Sequence, residues 1–121
     1  MKTEKFTPHS AFDCRREKRK FSMISVYDYP TAKCAEEAGI NSLLVGDSLA
    51  MTVLGHQDTI SITMEEMLHH VKAVSRASQY SMVVADMPFM SYQISSQQAV
   101  ENAGRFLKEG RADAVKVEGG N

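Results

Sequence analysis

The chain has 121 residues, a formal net charge of −1 and 43% hydrophobic residues, which makes it one small domain or a part of a larger one. Near-neutrality argues against a nucleic-acid surface, although it leaves room for a local patch. No run approaches the roughly 18 apolar residues of a membrane span.

The N-terminal MKTEKFTPHS lacks the apolar run of a secretory signal. Cys14 and Cys34 stand far apart, with no C-x-x-C and no histidines at zinc spacing, and so read as two reduced thiols of a cytoplasmic protein. Residues 1–20 form a polar segment, expected to be helical. Within it Arg15, Arg16, Lys18, Arg19 and Lys20 make a basic cluster broken by Glu17. No aromatic residues interleave, so the plainer reading is a solvated helix rather than a nucleic-acid patch.

Residues 21–121 read as the first part of a barrel. FSMISV (21–26) is the first strand, ended by Tyr27-Asp28-Tyr29-Pro30. Pro30 and Thr31 open a helix running to about Ala38, and Gly39 ends it. SLLV (42–45) is a short apolar strand that stops at Gly46-Asp47-Ser48. Residues 49–63 have little periodicity and read as a long loop, a feature that is usually functional in a compact domain. Thr63 and Glu66 have the spacing of a capping box. Behind them Met64, Met67, Leu68, Val71 and Val74 make an apolar helical stripe. His69 and His70 are consecutive, so they point roughly 100° apart and lack the i, i+4 spacing of a zinc-binding pair.

The third strand spans about 81–86 and ends in Asp86, before Pro88. A helix follows over about 96–109, with Ala99, Val100, Ala103, Phe106 and Leu107 as its expected buried face, and Gly110 stops it. The fourth strand, about 114–117, leads to Glu118-Gly119-Gly120. Strands alternating with helices imply parallel pairing and right-handed crossovers. There is no G-x-G-x-x-G and no P-loop. Polar residues at the ends of successive strands favour a (β/α)8 barrel, whose sites lie at that face. Such a barrel takes about 200 residues or more, so the chain reads as about three and a half βα units, truncated.

Asp47 and Asp86 end consecutive strands. If those strands pair, they lie about 4.8 Å apart, and two carboxylates so close repel unless a cation lies between them. Mg²⁺ suits such a site, because it takes one or two carboxylates and leaves positions for substrate oxygens. The plainer alternative is that each Asp caps the element after it. Lys116 and Glu118, two apart, share one side of their strand, which in a barrel is the centre, while Val115 and Val117 face the helices. They read either as part of the site or as a structural ion pair.

Four stretches in order, VYDYPTAKCAEEAGINSLLVGDSLAMTVLGHQDT, TMEEMLHHVKAV, ADMPFMSY and GRADAVKVEGG, closely resemble the N-terminal half of the ketopantoate hydroxymethyltransferase family. The resemblance covers about residues 20–120. One departure is Ala50, where the family usually has glycine; it removes no ligand. The resemblance implies a cytoplasmic, homo-oligomeric (β/α)8 barrel of the phosphoenolpyruvate/pyruvate type. It implies transfer of a one-carbon unit from 5,10-methylenetetrahydrofolate to 3-methyl-2-oxobutanoate through a Mg-stabilised enolate. The product is 2-dehydropantoate, in pantothenate and coenzyme A biosynthesis. By motif match Asp47 and Asp86 are Mg²⁺ ligands, and Glu118 completes the metal site directly or through water. Asp47, Ser48, Asp86 and Lys116 contact the keto acid. The general base is a glutamate expected beyond Asn121. Competing readings are a Mg²⁺-dependent lyase or mutase of the same barrel type, and a catalytically incomplete piece acting only in assembly.

Overall fold

A computed structural model describes residues 4–119, so Gly120, the second glycine of the closing pair, lies outside the described residues. The first helix, α1, spans Pro8–Arg16; Thr7 caps it in a capping box with Ser10, and Pro8 takes the first turn, where a missing N–H costs nothing. The basic residues that follow are exposed, which is the solvated arrangement expected of them. Strand β1 (Met23–Ser25) leads to α2 (Tyr29–Glu37). Asp28 caps α2 by accepting from the Thr31 N–H at 2.9 Å, so the helix opens just ahead of Pro30. After Gly39, at φ +82°, the chain enters β2 (Ser42–Val45).

The expected loop over residues 49–63 holds one short helix, α3 (Leu49–Thr52), and otherwise turns. Helix α4 (Met64–Ala77) begins with the Thr63–Glu66 capping box and buries Met64, Met67, Leu68, Val71 and Val74. Strand β3 (Met82–Asp86), helix α5 (Ser96–Lys108) and strand β4 (Ala114–Lys116) complete the described chain.

The four strands form one parallel sheet in the order β1-β2-β3-β4, with Val45 opposite Ala85 and Asp86 opposite Lys116. Alternation sorts their side chains to two faces. Leu43, Val45, Val83 and Ala85 pack with Ala32 and Ala35 of α2, with the α4 stripe and with Phe106 of α5. On the other face Leu44, Met82, Val84 and Ala114 meet Phe6 and, from α1, Cys14. Residues before α1 dock where the strands begin: the Phe6 N–H donates to the Tyr80 carbonyl, and Lys5 reaches the Ser81 carbonyl and Asp113. The carboxyl ends of the strands are left to the polar residues.

Two expectations about apolar faces are corrected. On α5, Phe106 is fully buried, but Val100 and Leu107 are 71% and 46% exposed. They lie seven residues apart, to one side of Ala103 and Phe106, which pack into the core, and therefore turn away from it. Val115 packs against the helix-side core as expected, but Val117 is exposed because β4 ends at Lys116.

Candidate metal centre

Strand β2 ends because Gly46 and Asp47 leave the ladder. A Cβ on Gly46 would stand 3.2 Å from Ser48 Oγ and 3.9 Å from Asp86 Oδ2, so a glycine here keeps the floor of the site close. The parallel register of β2 and β3 then places Asp47 beside Asp86. The Asp47 N–H donates to Asp86 Oδ2 at 3.1 Å. One register step further along the sheet, Lys116 Nζ donates to Asp86 Oδ1 at 3.4 Å and to Glu118 Oε1 at 2.5 Å. The strand-end reading thus brings Asp47, Ser48, Asp86, Lys116 and Glu118 together. Lys116 shares the Ala114 side of β4, away from the helix layer, as the alternation expected.

One carboxylate oxygen from each of Asp47, Asp86 and Glu118 lies within 4.8 Å of the others. The cluster runs from buried Asp86 through half-buried Asp47 to exposed Glu118, so it opens outward. Its electrostatics are unbalanced. Burial, then the neighbouring Asp86 and Glu118 carboxylates, push the Asp47 carboxyl above its usual range, and Lys116 only partly offsets them. The hydrogen bond between Lys116 and Glu118 holds the ammonium above its usual range and the Glu118 carboxyl below its own. An all-oxygen donor set with an excess of negative charge is the chemistry of a hard divalent cation.

Two tyrosines that spacing did not single out join the site. The Tyr27 hydroxyl shares a hydrogen bond of 2.8 Å with Ser48 Oγ. The Tyr92 hydroxyl donates to the Glu118 carbonyl at 2.7 Å and accepts from the Glu118 N–H at 3.2 Å. His70 stands behind Tyr27, with Nδ1 2.8 Å from the Tyr27 carbonyl; since a carbonyl only accepts, Nδ1 carries the proton. His69 is exposed on α4, and neither histidine joins the acidic group. Ala50 is fully buried in α3, where its N–H donates to the Asp47 carbonyl at 3.0 Å. Cys14 and Cys34 are free thiols. Among the described residues no helix is long and apolar enough to cross a membrane.

Parallel β/α units that gather acidic groups at the carboxyl ends of their strands are the arrangement of a (β/α)8 barrel. Solved structures bear this out. Phosphonopyruvate hydrolase in complex with oxalate and Mg²⁺ superposes at a TM-score of 0.71 and 17% identity, over 90% of this chain and 38% of that one. 2,3-Dimethylmalate lyase, a PEP mutase/isocitrate lyase superfamily member, superposes at 0.69 and 22% identity, over 90% and 38%. Sequence comparison is narrower. The sequence model for ketopantoate hydroxymethyltransferase matches residues 5–121. A 3-methyl-2-oxobutanoate hydroxymethyltransferase from Carboxydothermus hydrogenoformans is 62% identical over 97% of this chain and 42% of its own length. Another from Enterococcus faecalis is 61% identical over 84% and 37%. The chain belongs to the ketopantoate hydroxymethyltransferase family, and it spans about two fifths of the length of these curated relatives.

Proposed function

We propose that the protein carrying this chain is a hydroxymethyltransferase. It moves a one-carbon unit from 5,10-methylenetetrahydrofolate to 3-methyl-2-oxobutanoate, giving 2-dehydropantoate for pantothenate and coenzyme A synthesis. The observation that carries the reading is the convergence of Asp47, Asp86, Glu118 and Lys116 at adjacent strand ends. The two first-named relatives and the family model support the activity and the substrate. Family resemblance alone supports the folate cosubstrate, a homo-oligomer and a cytoplasmic location.

Asp47, Asp86 and Glu118 are the groups that would hold Mg²⁺, which when bound supplies Lewis-acid polarisation of the keto and carboxylate oxygens of the acid. A crystal structure of phosphonopyruvate hydrolase, of the same fold, was obtained with oxalate and Mg²⁺, a pairing that suits an acid with adjacent oxygens. Lys116 places a fixed cation where negative charge develops as C3 loses its proton. Ser48, held by Tyr27, offers a hydroxyl to the acid, and Asp47 and Asp86 complete the contact surface. A glutamate beyond Asn121 takes the C3 proton, and C3 bonds to the folate's methylene carbon as both of its C–N bonds break; one water supplies the hydroxyl oxygen and protonates the two nitrogens of the departing tetrahydrofolate, and the C3 proton returns to the new hydroxyl.

In the whole protein, Asp47→Ala and Asp86→Ala should each weaken Mg²⁺ binding and reduce folate-dependent product formation severely. Either variant turning over near the unaltered rate at ordinary Mg²⁺ overturns the ligand assignment. Product formation that needs no folate would instead favour a lyase or mutase of this barrel type.

A further inference from the structure

We propose that Tyr92 is a positioning residue of the cation site: its hydroxyl fixes the backbone of Glu118 and so aims that carboxylate at Asp47 and Asp86. The inference rests on the cation reading given above.

Glu118 has the weakest local support of the three acidic residues. Asp86 ends a fully buried strand, and Asp47 is tied to it through its own N–H. Strand β4 stops at Lys116, and the last sheet bond in this region is the Met87 N–H to the Lys116 carbonyl. Residue 118 lies beyond that point, with a side chain 66% exposed. A residue beyond its ladder has no sheet partner to order its backbone, and ordering it costs conformational entropy.

Tyr92 meets this need with one atom. Its hydroxyl is donor to the C=O and acceptor from the N–H of the same residue, 26 positions away. Its ring packs against the main core, so the hydroxyl has a fixed base. The turn that carries it is braced as well. Ser91 Oγ donates to the Pro88 carbonyl at 2.6 Å, and Asn102 Nδ2 of α5 donates to the Ser91 carbonyl at 2.7 Å. That turn begins where Asp86 ends. A single segment, residues 86–92, therefore delivers one acidic ligand directly and steadies another through a phenol.

The test titrates Mn²⁺ into the whole protein and follows free Mn²⁺ by electron paramagnetic resonance. Tyr92→Phe keeps the ring and removes the hydroxyl. It should weaken Mn²⁺ binding about tenfold, as loss of an outer-sphere partner does. Added to Glu118→Gln, it should cause no further loss, because the clamp acts only through Glu118. Para-aminophenylalanine at position 92, which keeps a donor at the same place, should recover much of the affinity. Tyr92→Phe binding within twofold of the unaltered protein overturns the proposal, and so does a double variant in which the two losses multiply. A Tyr92→Phe protein without native circular dichroism also counts against it, since the hydroxyl would then serve the whole fold. If the unaltered protein takes up no Mn²⁺, or Asp47→Ala takes it up equally well, the cation reading itself fails. That result is distinct from a failure of Tyr92 alone.

Discussion

Glu36 sits in the last turn of α2, where the helix dipole disfavours a carboxylate. It is kept there by the turn before β3. Its carboxylate accepts from Ser78 Oγ and from three successive N–H groups, of Gln79, Tyr80 and Ser81. Partial burial raises its pKa, but the backbone bonds from Tyr80, Ser81 and Gln79 outweigh that and leave it lowered. A lowered folded-state pKa means stability that is present above the ordinary carboxylate range and lost as pH falls through the folded value. Glu36→Gln should therefore destabilise the fold by about 1.5–3 kcal/mol near neutral pH, as loss of a charged acceptor does. Urea unfolding of the two proteins should converge in acid; a gap that persists there would show that charge is not the cause. Lys116 belongs to the same scale. Lys116→Met should lower kcat/KM for the keto acid roughly ten- to a hundredfold while Mg²⁺ still binds. Loss of Mg²⁺ binding with normal keto-acid handling would reverse the roles given to Lys116 and the carboxylates. Asp47 and Asp86 were legible in the sequence because each follows an apolar strand at its carboxyl end. Glu36, Tyr27 and Tyr92 were not, because their bonds join residues 21 to 45 positions apart and no spacing rule reaches that far.

Elements whose signals are local were the most legible. The Thr63–Glu66 capping box and the apolar stripe of α4 lie within one helix, and the structure realises both. Helix α5 was harder, because the same apolar residues allow more than one buried face and only tertiary packing chooses between them. Gly110 shows the same limit. As a helix stop it needed only to follow the last apolar residue. In the structure a Cβ there would lie 2.7 Å from the Phe106 carbonyl oxygen and 2.9 Å from Val71 Cγ1. The glycine therefore lets the end of α5 approach α4, a role that depends on a partner 39 positions away. Gly110→Ala should cost about 1–3 kcal/mol through overpacking, read as a lowered urea midpoint with an unchanged slope. A neutral result would mean that α5 can shift outward without loss.

At the scale of the whole molecule, the parallel sheet order and the two faces follow from the alternation of strands and helices in the sequence. What alternation does not supply is closure. Among the described residues β1 and β4 each pair on one side only. Beside the β1 edge, Phe21, Met23 and Ile24 are 38%, 48% and 44% exposed. On the outer layer, Val100 and Leu107 of α5 have no covering helix within these residues. A barrel removes its edges by joining the last strand to the first, and open parallel edges beside apolar side chains invite pairing between chains. The 121-residue chain produced alone should therefore self-associate. Sedimentation velocity should show a size that grows with concentration, and folate-dependent turnover should be absent, since the proposed base lies beyond Asn121. Co-expression with the remaining C-terminal part of a full-length relative should cover β4, shift the population to a defined size and restore some activity. A monodisperse monomer that turns over without that partner would place a base within these residues and remove the need for closure.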